Sequence, residues 1–508
     1  MTSGQRRCLT DESVADGTSR LLEEGVPLSV ELLDALRPAT DHPLPKVRQL
    51  YLKLYEAIEL GHLPFDSQLP SSRQLAVLLG LGRNTVISVY EQLTAEGLLH
   101  ADGRRGTRVV RKVVVTSRST ANVVQWSLSD RCSSLLSRQS RSRVLAPGEP
   151  DCSLFPAAQW RKALGKTYRL GIDQLGYQRE SLQETREAIA RYLATYRSLY
   201  VSPRQIIVTS STRQSLNLAA ALFTKAGDVA WAECPGYVGA VDAFRLHGLD
   251  VIPCKVDAAG LVPSPKSRKP SLIYLTPCFQ FPLGTSLDPV RREELLSLSR
   301  THGSVVFEDD YDSEFRDNLQ PRPALAAEPG GARVLHAGTF SKLLFPAVRV
   351  AWLVVPESCA DAANQYLRVI GGGNNTIAQA AVTELLDNGS IAKHLKRARQ
   401  VYGQRRRQLV AALADCDNLL PVENSSACLS LVLRLERSVS LPRLMSALDD
   451  QDIGPQPLEY LDWSMKDPKR CKALVIGLGN VDTVEIDDAV ARLKKALRSA
   501  EDNLGSFR

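Results

Sequence analysis

Residues 46–110 carry a closely spaced pattern of apolar and polar positions. The first apolar series falls at i, i+3, i+4, i+7 and i+11, which marks one buried face of an α-helix: Val47, Leu50, Tyr51, Leu54 and Ile58. A second helix is predicted from an N-cap at Ser72 to a stop at Gly80, and a tight turn lies between Gly80 and Gly82. A third helix is predicted over residues 84–96, with four apolar residues on its buried side: Val86, Val89, Tyr90 and Leu93.

Polar side chains occupy the opposite side of the third helix, mostly at its amino end: Arg83, Asn84, Thr85, Ser88 and Gln92. Contacts to base edges and phosphates in the DNA major groove require short polar side chains and an arginine at such a position. A hairpin is predicted next, with strands over 98–101 and 107–110 and a tip that carries Arg104 and Arg105. An ordinary helical subdomain with solvated charges is the alternative. The helix-turn-helix-hairpin order with basic residues along one edge favours a DNA-binding winged helix.

Beyond residue 147, short β-rich runs alternate with helical stretches. The predicted strands cover 205–210, 228–233, 250–256, 271–277, 304–309, 333–339 and 349–355. This alternation predicts an α/β fold with a mostly parallel sheet covered by helices. After residue 371 the pattern predicts a smaller α+β lobe, with helices and strands over 376–387, 391–414, 429–435, 472–478 and 486–497.

Composition narrows the class of protein further. The 508-residue chain has a net charge of +7, from 63 Lys+Arg against 56 Asp+Glu, so any contact with nucleic acid must be a local patch. The ten cysteines form no Cys-x-x-Cys pair, which excludes an obvious zinc site and suits a reducing cytoplasm. No apolar run approaches the ~18 residues of a membrane span, and the amino end lacks an apolar signal region. We therefore expect a soluble, cytoplasmic protein without a metal site or a membrane anchor.

Residues 116–142 contain nine serines among 27 residues, together with four arginines and one aspartate. A segment of this composition cannot bury enough apolar surface to fold alone, which indicates a linker. The predicted organisation is an amino-terminal extension over 1–42, a DNA-binding domain over 43–112, a linker and lead-in over 113–144 and a larger domain over 145–508.

Four features of the larger domain carry candidate chemistry. A strand leads into Ser211–Thr212 at a helix start, where backbone N–H groups and hydroxyls form an anion site suited to a phosphate. Tyr237 directly follows another strand, where its ring could stack on a planar ligand. Asp309 ends an apolar strand in a carboxylate cluster, at the edge where open α/β sheets bind ligands. Lys342 is flanked by hydroxyl groups and is followed by a cation, Arg349, seven residues later.

Each feature alone is weak, because such motifs usually serve as helix caps, turns or solvated charges. Together they indicate the electron-sink chemistry of pyridoxal 5′-phosphate, in which a lysine forms a Schiff base with the cofactor aldehyde and an aspartate keeps the pyridinium nitrogen protonated. This interpretation assigns the Schiff base to Lys342 and the ring nitrogen to Asp309. Tyr311 would reach the phenolic oxygen, and Tyr237 would stack on the ring. Four residues would surround the phosphate: Ser211, Thr212, Ser341 and Arg349.

The amino-terminal segment closely resembles the winged helix-turn-helix of GntR-type regulators. The segments that carry the resemblance are Leu69–Ala76, Arg83–Leu93, Glu96–Gly97 and Arg105–Thr107. The resemblance implies that four matching residues lie at the DNA: Arg73, Arg83, Thr85 and the wing glycine Gly106.

Residues 145–497 resemble the fold-type-I aminotransferases, most clearly in Phe155–Pro156, Glu308–Phe315 and Gly338–Lys342. With a GntR-type domain before it, the chain is identified as a member of the MocR (GabR-like) transcriptional regulators. That resemblance implies a homodimer in which each winged helix packs near the partner's aminotransferase-like domain. It also implies two further partners, a double-stranded DNA operator and a small amino compound as effector.

The chain departs from the family pattern at several positions. Phe279 and Ser430 replace histidines, Ser211 replaces a glycine, and Arg213 replaces a glutamine. Because polar groups near the cofactor are lost, we do not expect efficient catalytic turnover. Arg470 is the nearest candidate for binding a substrate α-carboxylate.

Three functions therefore stay open at this point. The first is a DNA-binding transcriptional regulator that binds pyridoxal 5′-phosphate and senses the cofactor or an amino compound. The second is a pyridoxal-phosphate-dependent aminotransferase with an attached DNA-binding head. The third is a plain GntR-type regulator whose larger domain has lost the cofactor and only dimerises, and the joint presence of Asp309, Tyr311, Lys342 and Arg349 speaks against it.

Overall fold

The computed structural model describes most of the chain, namely residues 28–102, 106–110, 143–168, 171, 176, 180–264, 268–315, 323–328, 330–372, 375–416, 418–421, 429–464 and 469–501. The described residues fall into two compact units, divided between residues 127 and 128. Most of the predicted linker lies outside the described residues. Among the residues that are described, no helix combines the length and the apolar character needed to cross a bilayer.

The amino-terminal unit consists of helices and a small antiparallel sheet. Its described helices are α1 (Val30–Leu36), α2 (Lys46–Glu59), α3 (Ser72–Leu79) and α4 (Arg83–Ala95). Its strands are β1 (Gln68–Leu69), β2 (Leu99–Asp102) and β3 (Gly106–Val109), which pair in the order β1-β3-β2. The α3–α4 pair and the β2–β3 hairpin confirm the predicted winged helix.

One hydrophobic core holds this unit together, and it includes Leu54, Leu75 and Leu93, none of which is exposed to solvent. Helix α1 belongs to the same core, because it buries Leu33 and Leu36 there. The packed unit therefore begins on the amino side of residue 43, within the segment predicted as an extension.

Two local features of this unit differ from the sequence prediction. Val47 lies in the first turn of α2 and is exposed, whereas Gln49 is buried and bonds to backbone groups of the preceding loop. The N-cap of α3 is Ser71 rather than Ser72. Ser71 and Gln74 bond each other's backbone in a capping box, which satisfies N–H groups that the helix itself leaves free. Helix α3 stops at Gly80, as predicted.

The carboxy-terminal unit is built around an eight-stranded sheet. Its strands are β4 (Ile206–Thr209), β5 (Val229–Cys234), β6 (Asp250–Asp257), β7 (Gly260–Leu261), β8 (Leu272–Leu275), β9 (Val305–Asp310), β10 (Arg333–Thr339) and β11 (Ala351–Val354). They lie in the order β4-β11-β10-β9-β8-β5-β6-β7. Strands β6, β5, β8, β9 and β10 are parallel, while β11 is antiparallel to both neighbours and β7 to β6. The sheet is mostly parallel, as predicted.

Helices cover both faces of this sheet. The helices described in the carboxy-terminal unit are α5 (Ala157–Thr167), α6 (Gln183–Arg197), α7 (Thr212–Phe223), α8 (Val238–Leu246), α9 (Pro289–His302), α10 (Ala360–Val369), α11 (Thr376–Asp387), α12 (Ser390–Ala412), α13 (Leu441–Asp450) and α14 (Ile486–Ala500). Helices α7, α8 and α10 pack on the face that carries Tyr274 and Phe307. Helix α9 packs on the opposite face, which carries Ile273 and Val306, since successive strand residues point to opposite sides.

A smaller α+β lobe completes the unit, as predicted. Its strands are β12 (Leu419–Pro421), β13 (Ser430–Ser440), β14 (Gln456–Pro457) and β15 (Arg470–Gly477), paired antiparallel in the order β12-β13-β15-β14. Helices α13 and α14 cover this sheet through a core that includes Leu444, Ile476 and Leu493.

The chain leads into this unit along the smaller lobe. The N–H of Gly477 donates to the carbonyl of Leu145 at 2.8 Å, and the N–H of Gly454 donates to the carbonyl of Val144 at 2.8 Å. A Cβ atom at Gly477 would lie 1.9 Å from the carbonyl oxygen of Ala146. Only glycine permits this close approach, so residues 143–150 are held against β15.

Candidate functional site

A cavity of about 590 Å³ opens where β5, β8, β9 and β10 end. This carboxyl edge is the place where open α/β sheets bind ligands. The lead-in and the smaller lobe also line the cavity, through Pro147, Gly148, Gln456 and Leu461. Five of the residues predicted from the sequence meet in its wall: Thr212, Tyr237, Asp309, Tyr311 and Lys342.

Asp309 is the penultimate residue of β9, and its carboxylate is buried. The hydroxyl of Tyr274, on the adjacent strand β8, donates to Oδ2 of Asp309 at 2.8 Å. The other oxygen, Oδ1, has no hydrogen-bond partner among the described residues. Burial raises the pKa of Asp309 to about 7. A buried carboxylate oxygen without a donor suits a ligand that brings one, such as the N–H of a pyridinium ring.

Lys342 lies in the turn that follows β10 and is half-buried. Its Nζ donates to the backbone carbonyl of Gly148 in the lead-in segment. Burial lowers the pKa of the Lys342 amine, because the charged form loses hydration. A lowered pKa increases the share of the neutral amine, which is the form that attacks an aldehyde.

Three aromatic rings line the same cavity. The ring of Phe281 lies 6.5 Å from that of Tyr237 and 6.1 Å from that of Tyr311, in both cases nearly perpendicular. Burial raises the pKa of the Tyr237 hydroxyl and raises that of Tyr311 well above the usual range, so both stay protonated. The arrangement provides apolar ring faces together with two hydroxyl groups, which suits an aromatic ring with polar substituents.

The predicted phosphate residues are only partly brought together. Ser211 is the N-cap of α7, where its hydroxyl accepts from the N–H of Gln214 at 3.3 Å, and Thr212 lines the cavity. Ser341 is half-buried and accepts a hydrogen bond from the hydroxyl of Thr339 at 2.9 Å, but does not itself line the cavity. Arg349 is exposed, with φ +51°, and is not part of the cavity wall.

Other residues singled out from the sequence lie away from the cavity wall. Arg470, the candidate for a substrate carboxylate, is exposed on β15, and its Nε donates to the hydroxyl of Ser438 at 2.8 Å. Phe279 and Ser430, which stand where the family has histidines, are buried and do not line the cavity. The structure therefore does not bring Arg470 to the site that the other residues form.

The cavity residues that were not assigned a role from the sequence include Arg213, Tyr274 and Phe281. The sequence carried a signal for Tyr274. Tyr274 pairs with Phe307 of the adjacent strand β9, and Asp309, two residues further along β9, points to the same face of the sheet. The position of Phe281 depends on the loop between β8 and α9, which strand periodicity does not describe. Among the described residues, no group of three His, Cys, Asp or Glu side chains is placed to hold a metal ion.

The amino-terminal unit presents the predicted DNA residues on its helix-turn-helix pair. Arg73 lies in the first turn of α3 and Arg83 starts α4, and both are exposed, while Thr85 is half-buried. The hydroxyl of Tyr90 donates to the carbonyl of Pro70 at 2.8 Å, which ties α4 to the start of α3. This bond holds the middle of α4 against the residues that precede α3.

The wing is described only in part. Gly106 begins β3 with φ +80°, and a Cβ atom there would lie 3.1 Å from the side-chain nitrogen of Gln68. A larger residue would be strained in this backbone conformation. Arg104 and Arg105, predicted at the tip, lie outside the described residues.

Comparison with known proteins identifies both units. Residues 46–109 match the bacterial regulatory proteins of the gntR family, and residues 145–453 match the aminotransferase class I and II family. The probable rhizopine catabolism regulatory protein MocR of Rhizobium meliloti is 32% identical over 477 residues, which cover 91% of this chain and 95% of that protein. The pyridoxine biosynthesis transcriptional regulator PdxR of Corynebacterium glutamicum is 29% identical over 394 residues, 76% of this chain and 82% of that protein.

Solved structures agree on the fold of the carboxy-terminal unit. A kynurenine aminotransferase of Pyrococcus horikoshii superposes with a TM-score of 0.65 at 23% identity, over 73% of this chain and 96% of that one. The α-aminoadipate aminotransferase LysN of Thermus thermophilus gives 0.63 at 25% identity, over 70% of this chain and 92% of that one. A gntR-type winged helix thus precedes an aminotransferase fold, and a MocR protein matches along nearly the whole chain. The protein belongs to the MocR-type transcriptional regulators of the GntR family.

Proposed function

We propose that this transcriptional regulator binds pyridoxal 5′-phosphate in the cavity and alters its hold on an operator when the cofactor or an amino compound occupies the site. The observation that carries the proposal is the meeting of Lys342 and Asp309 in one cavity of a chain that also has a winged helix. A lysine amine for the aldehyde and a partner for the pyridinium nitrogen are recurring groups in protein sites for this cofactor.

Four cavity residues would hold the cofactor in this proposal. Lys342 would supply the amine for the aldehyde group, and Asp309 would accept the ring N–H through Oδ1. Tyr237 would stack on the ring, and Tyr311 would donate to its phenolic oxygen. Of the four residues expected at the phosphate, Thr212 lines the cavity and would contact that group, whereas Ser211, Ser341 and Arg349 do not line it. When bound, the cofactor supplies an electron sink for reactions at an amine carbon.

The unpartnered oxygen of Asp309 supports a retained cofactor over a larger domain that only dimerises. A buried polar atom without a partner costs about 1–3 kcal/mol, and more if it is charged. In a domain that binds no ligand, the unpartnered oxygen would lower the stability of the fold without any benefit. A donor from the cofactor ring would bond to this oxygen and offset the lost stability.

A pyridoxal-phosphate-dependent aminotransferase with a DNA-binding head is the second candidate, because the fold and Lys342 would also serve an enzyme. Such an enzyme needs one anion-binding group for the cofactor phosphate and another for the substrate carboxylate. Among the described residues that line the cavity, Arg213 is the one arginine. This shortage favours sensing over efficient transamination.

The functional assembly in this proposal is a homodimer in the cytoplasm on double-stranded DNA. A single winged helix buries only a modest interface, so a specific operator requires two heads at a fixed spacing. The aminotransferase-like domain is the part of the chain large enough to set that spacing. Analytical ultracentrifugation with and without the operator checks this assembly, and a monomer bound alone to a full operator would contradict it.

The decisive experiment joins spectroscopy to DNA binding. Purified protein is expected to show visible absorption from bound cofactor, and a panel of amino compounds should change both that absorption and the affinity for operator DNA. In Lys342→Ala the same compounds should leave DNA affinity unchanged, because the bond between lysine and cofactor that an amine would displace is missing. An effector changes DNA binding only if it binds with different affinity to the protein's DNA-binding state and to its other state. A parent protein without cofactor absorption would contradict the proposal, and so would a full response in Lys342→Ala. Product formation from added amino acids would favour the enzyme instead.

A further inference from the structure

Arg213 is an exposed cavity residue that forms no ion pair among the described residues, although the charge of Asp242, which also lines the cavity, acts on it from a longer distance. It is the second residue of α7 and lines the cavity, where its Nε donates to the hydroxyl of Tyr237 at 3.0 Å. Among the described residues, no carboxylate lies within 4.0 Å of its guanidinium. A guanidinium has five N–H donors, and a single neutral phenol leaves most of them available to a ligand.

The position of Arg213 in its helix is unfavourable without such a ligand. The amino end of a helix carries partial positive charge, so a cation in the first turn is repelled by the helix dipole. An anion bound at the same end reverses the sign of this interaction. Arg213 therefore adds charge to an end that already favours an anion, and this end faces the cavity through Thr212.

The surroundings favour a phosphate over a carboxylate. A phosphate has three terminal oxygens, which can accept from backbone N–H groups, a hydroxyl and a guanidinium at the same time. The start of α7 offers all three kinds of donor. These are the first backbone N–H groups, which have no hydrogen-bond partner within the helix, the hydroxyl of Thr212 and the side chain of Arg213. Arg349, the other arginine predicted for the phosphate, is exposed and does not line the cavity.

We propose that Arg213 binds the phosphate group of pyridoxal 5′-phosphate and makes the cavity select this form over unphosphorylated pyridoxal. The inference rests on the proposed function, since it assumes that the cofactor binds here. Its bond to Tyr237 gives the residue a second effect, because a guanidinium held by the phosphate also fixes the hydroxyl end of the ring that stacks on the cofactor.

The test compares two ligands on matched variants of the full-length protein. Dissociation constants for pyridoxal 5′-phosphate and for pyridoxal are measured by absorption titration of the parent, of Arg213→Gln and of Arg213→Lys. Glutamine keeps hydrogen-bonding groups but removes the charge, whereas lysine keeps the charge but loses the forked geometry. Arg204→Gln is the control, because Arg204 is exposed on the same unit and pairs with Glu357 outside the cavity.

The expected result is a change in the ratio of the two dissociation constants. Arg213→Gln should weaken the binding of pyridoxal 5′-phosphate about tenfold or more, since a charge-assisted bond is lost, and should leave pyridoxal binding nearly unchanged. Arg213→Lys should fall between parent and Arg213→Gln, and Arg204→Gln should match the parent. Inorganic phosphate should compete with the cofactor more weakly in Arg213→Gln than in the parent.

Two outcomes would overturn the inference while the proposed function stands. In the first, the parent binds the cofactor, and Arg213→Gln prefers the phosphorylated form over pyridoxal as strongly as the parent does. The other is an equal loss for both ligands, which would mean that Arg213 acts only through the ring of Tyr237. A parent that binds neither ligand would instead refute the proposed function. Circular dichroism of each variant separates a binding defect from unfolding.

Discussion

The hydroxyl of Tyr274 donates to one carboxylate oxygen of Asp309 at 2.8 Å and leaves the other oxygen without a partner among the described residues. The two residues lie on adjacent parallel strands, near the edge where the cavity opens. Tyr274 thus orients the carboxylate, and its free oxygen is available to a ligand.

Asp309→Asn should weaken the binding of pyridoxal 5′-phosphate at neutral pH. Asparagine keeps the shape of the side chain but cannot hold a positive charge on the ring nitrogen. The bound cofactor should therefore also shift its absorption toward the form with a neutral ring nitrogen. Absorption titration measures both effects, and Asp361→Asn, an exposed change on α10, is the control. Equal affinity in variant and parent would contradict the pairing.

Asp309 should also make the stability of the cofactor-free protein depend on pH. Burial raises its pKa from 3.8 to about 7, so the folded state keeps a proton that the unfolded chain has already lost above about pH 4. The free energy of unfolding should consequently fall as the pH rises from about 4 to 7. Urea unfolding at pH 5 and pH 7 should show a smaller fall in Asp309→Asn. The same pH dependence in both proteins would refute this assignment.

Lys342→Ala should abolish the absorption of the Schiff base between lysine and cofactor and keep the fold. The lysine supplies the covalent bond, while its half-buried side chain contributes little to the core. Absorption spectra and thermal unfolding measure the two effects separately. Lys393→Ala, an exposed change on α12, should keep the absorption of the parent. Normal absorption in Lys342→Ala would remove the cofactor assignment.

Arg83→Ala should weaken operator binding on the order of 1 to 3 kcal/mol and relax specificity at one base position, if the side chain reads a base. A contact to phosphate would instead weaken binding to all sequences alike and reduce the salt slope by about one. Gel-shift titrations on specific and scrambled DNA at two salt concentrations distinguish the two contacts. Arg204→Ala, in the other unit, serves as the control. Unchanged binding on both DNAs would show that Arg83 lies away from the interface.

Two glycines should respond to alanine in opposite directions. A Cβ atom at Gly338 would lie 2.2 Å from Cζ2 of the buried Trp352, so Gly338→Ala should destabilise the carboxy-terminal unit by about 1–3 kcal/mol. Gly165 lies in α5 with nothing within 4 Å of a Cβ atom there. Gly165→Ala should stabilise the helix by about 0.5–1 kcal/mol. Thermal unfolding checks both signs, and a stabilising Gly338→Ala would contradict the packing at Trp352.

Sequence pattern alone predicts Asp309 and Lys342 as cavity residues. Asp309 and Lys342 lie at the ends of adjacent strands, and the carboxyl ends of parallel strands meet at one edge of the sheet. Arg349 and Arg470 were assigned by resemblance or proximity in the chain, and the structure leaves both outside the cavity wall. Their side-chain directions depend on turns and on strand pairing that periodicity does not specify.

The amino-terminal unit shows the same limit on a smaller scale. Apolar spacing predicts α2 and α4, because one buried stripe per helix is enough to define them. It does not reveal that α1 buries Leu33 and Leu36 in the same core, since that helix is only seven residues long. The cap of α3 is set by a reciprocal bond between Ser71 and Gln74, and the Ser-x-x-Gln spacing of a capping box was the signal in the sequence that would have identified it.

The close packing of the lead-in on β15 has a consequence for the tether between the two units. Residue 143 is the first described residue after the linker, and five residues later the carbonyl of Gly148 accepts a bond from Lys342. Pro147 and Gly148 are themselves part of the cavity wall. The stretch of backbone that directly follows the predicted linker and lead-in is thus part of the ligand site, so a ligand in the cavity would contact the chain close to where it leaves that segment.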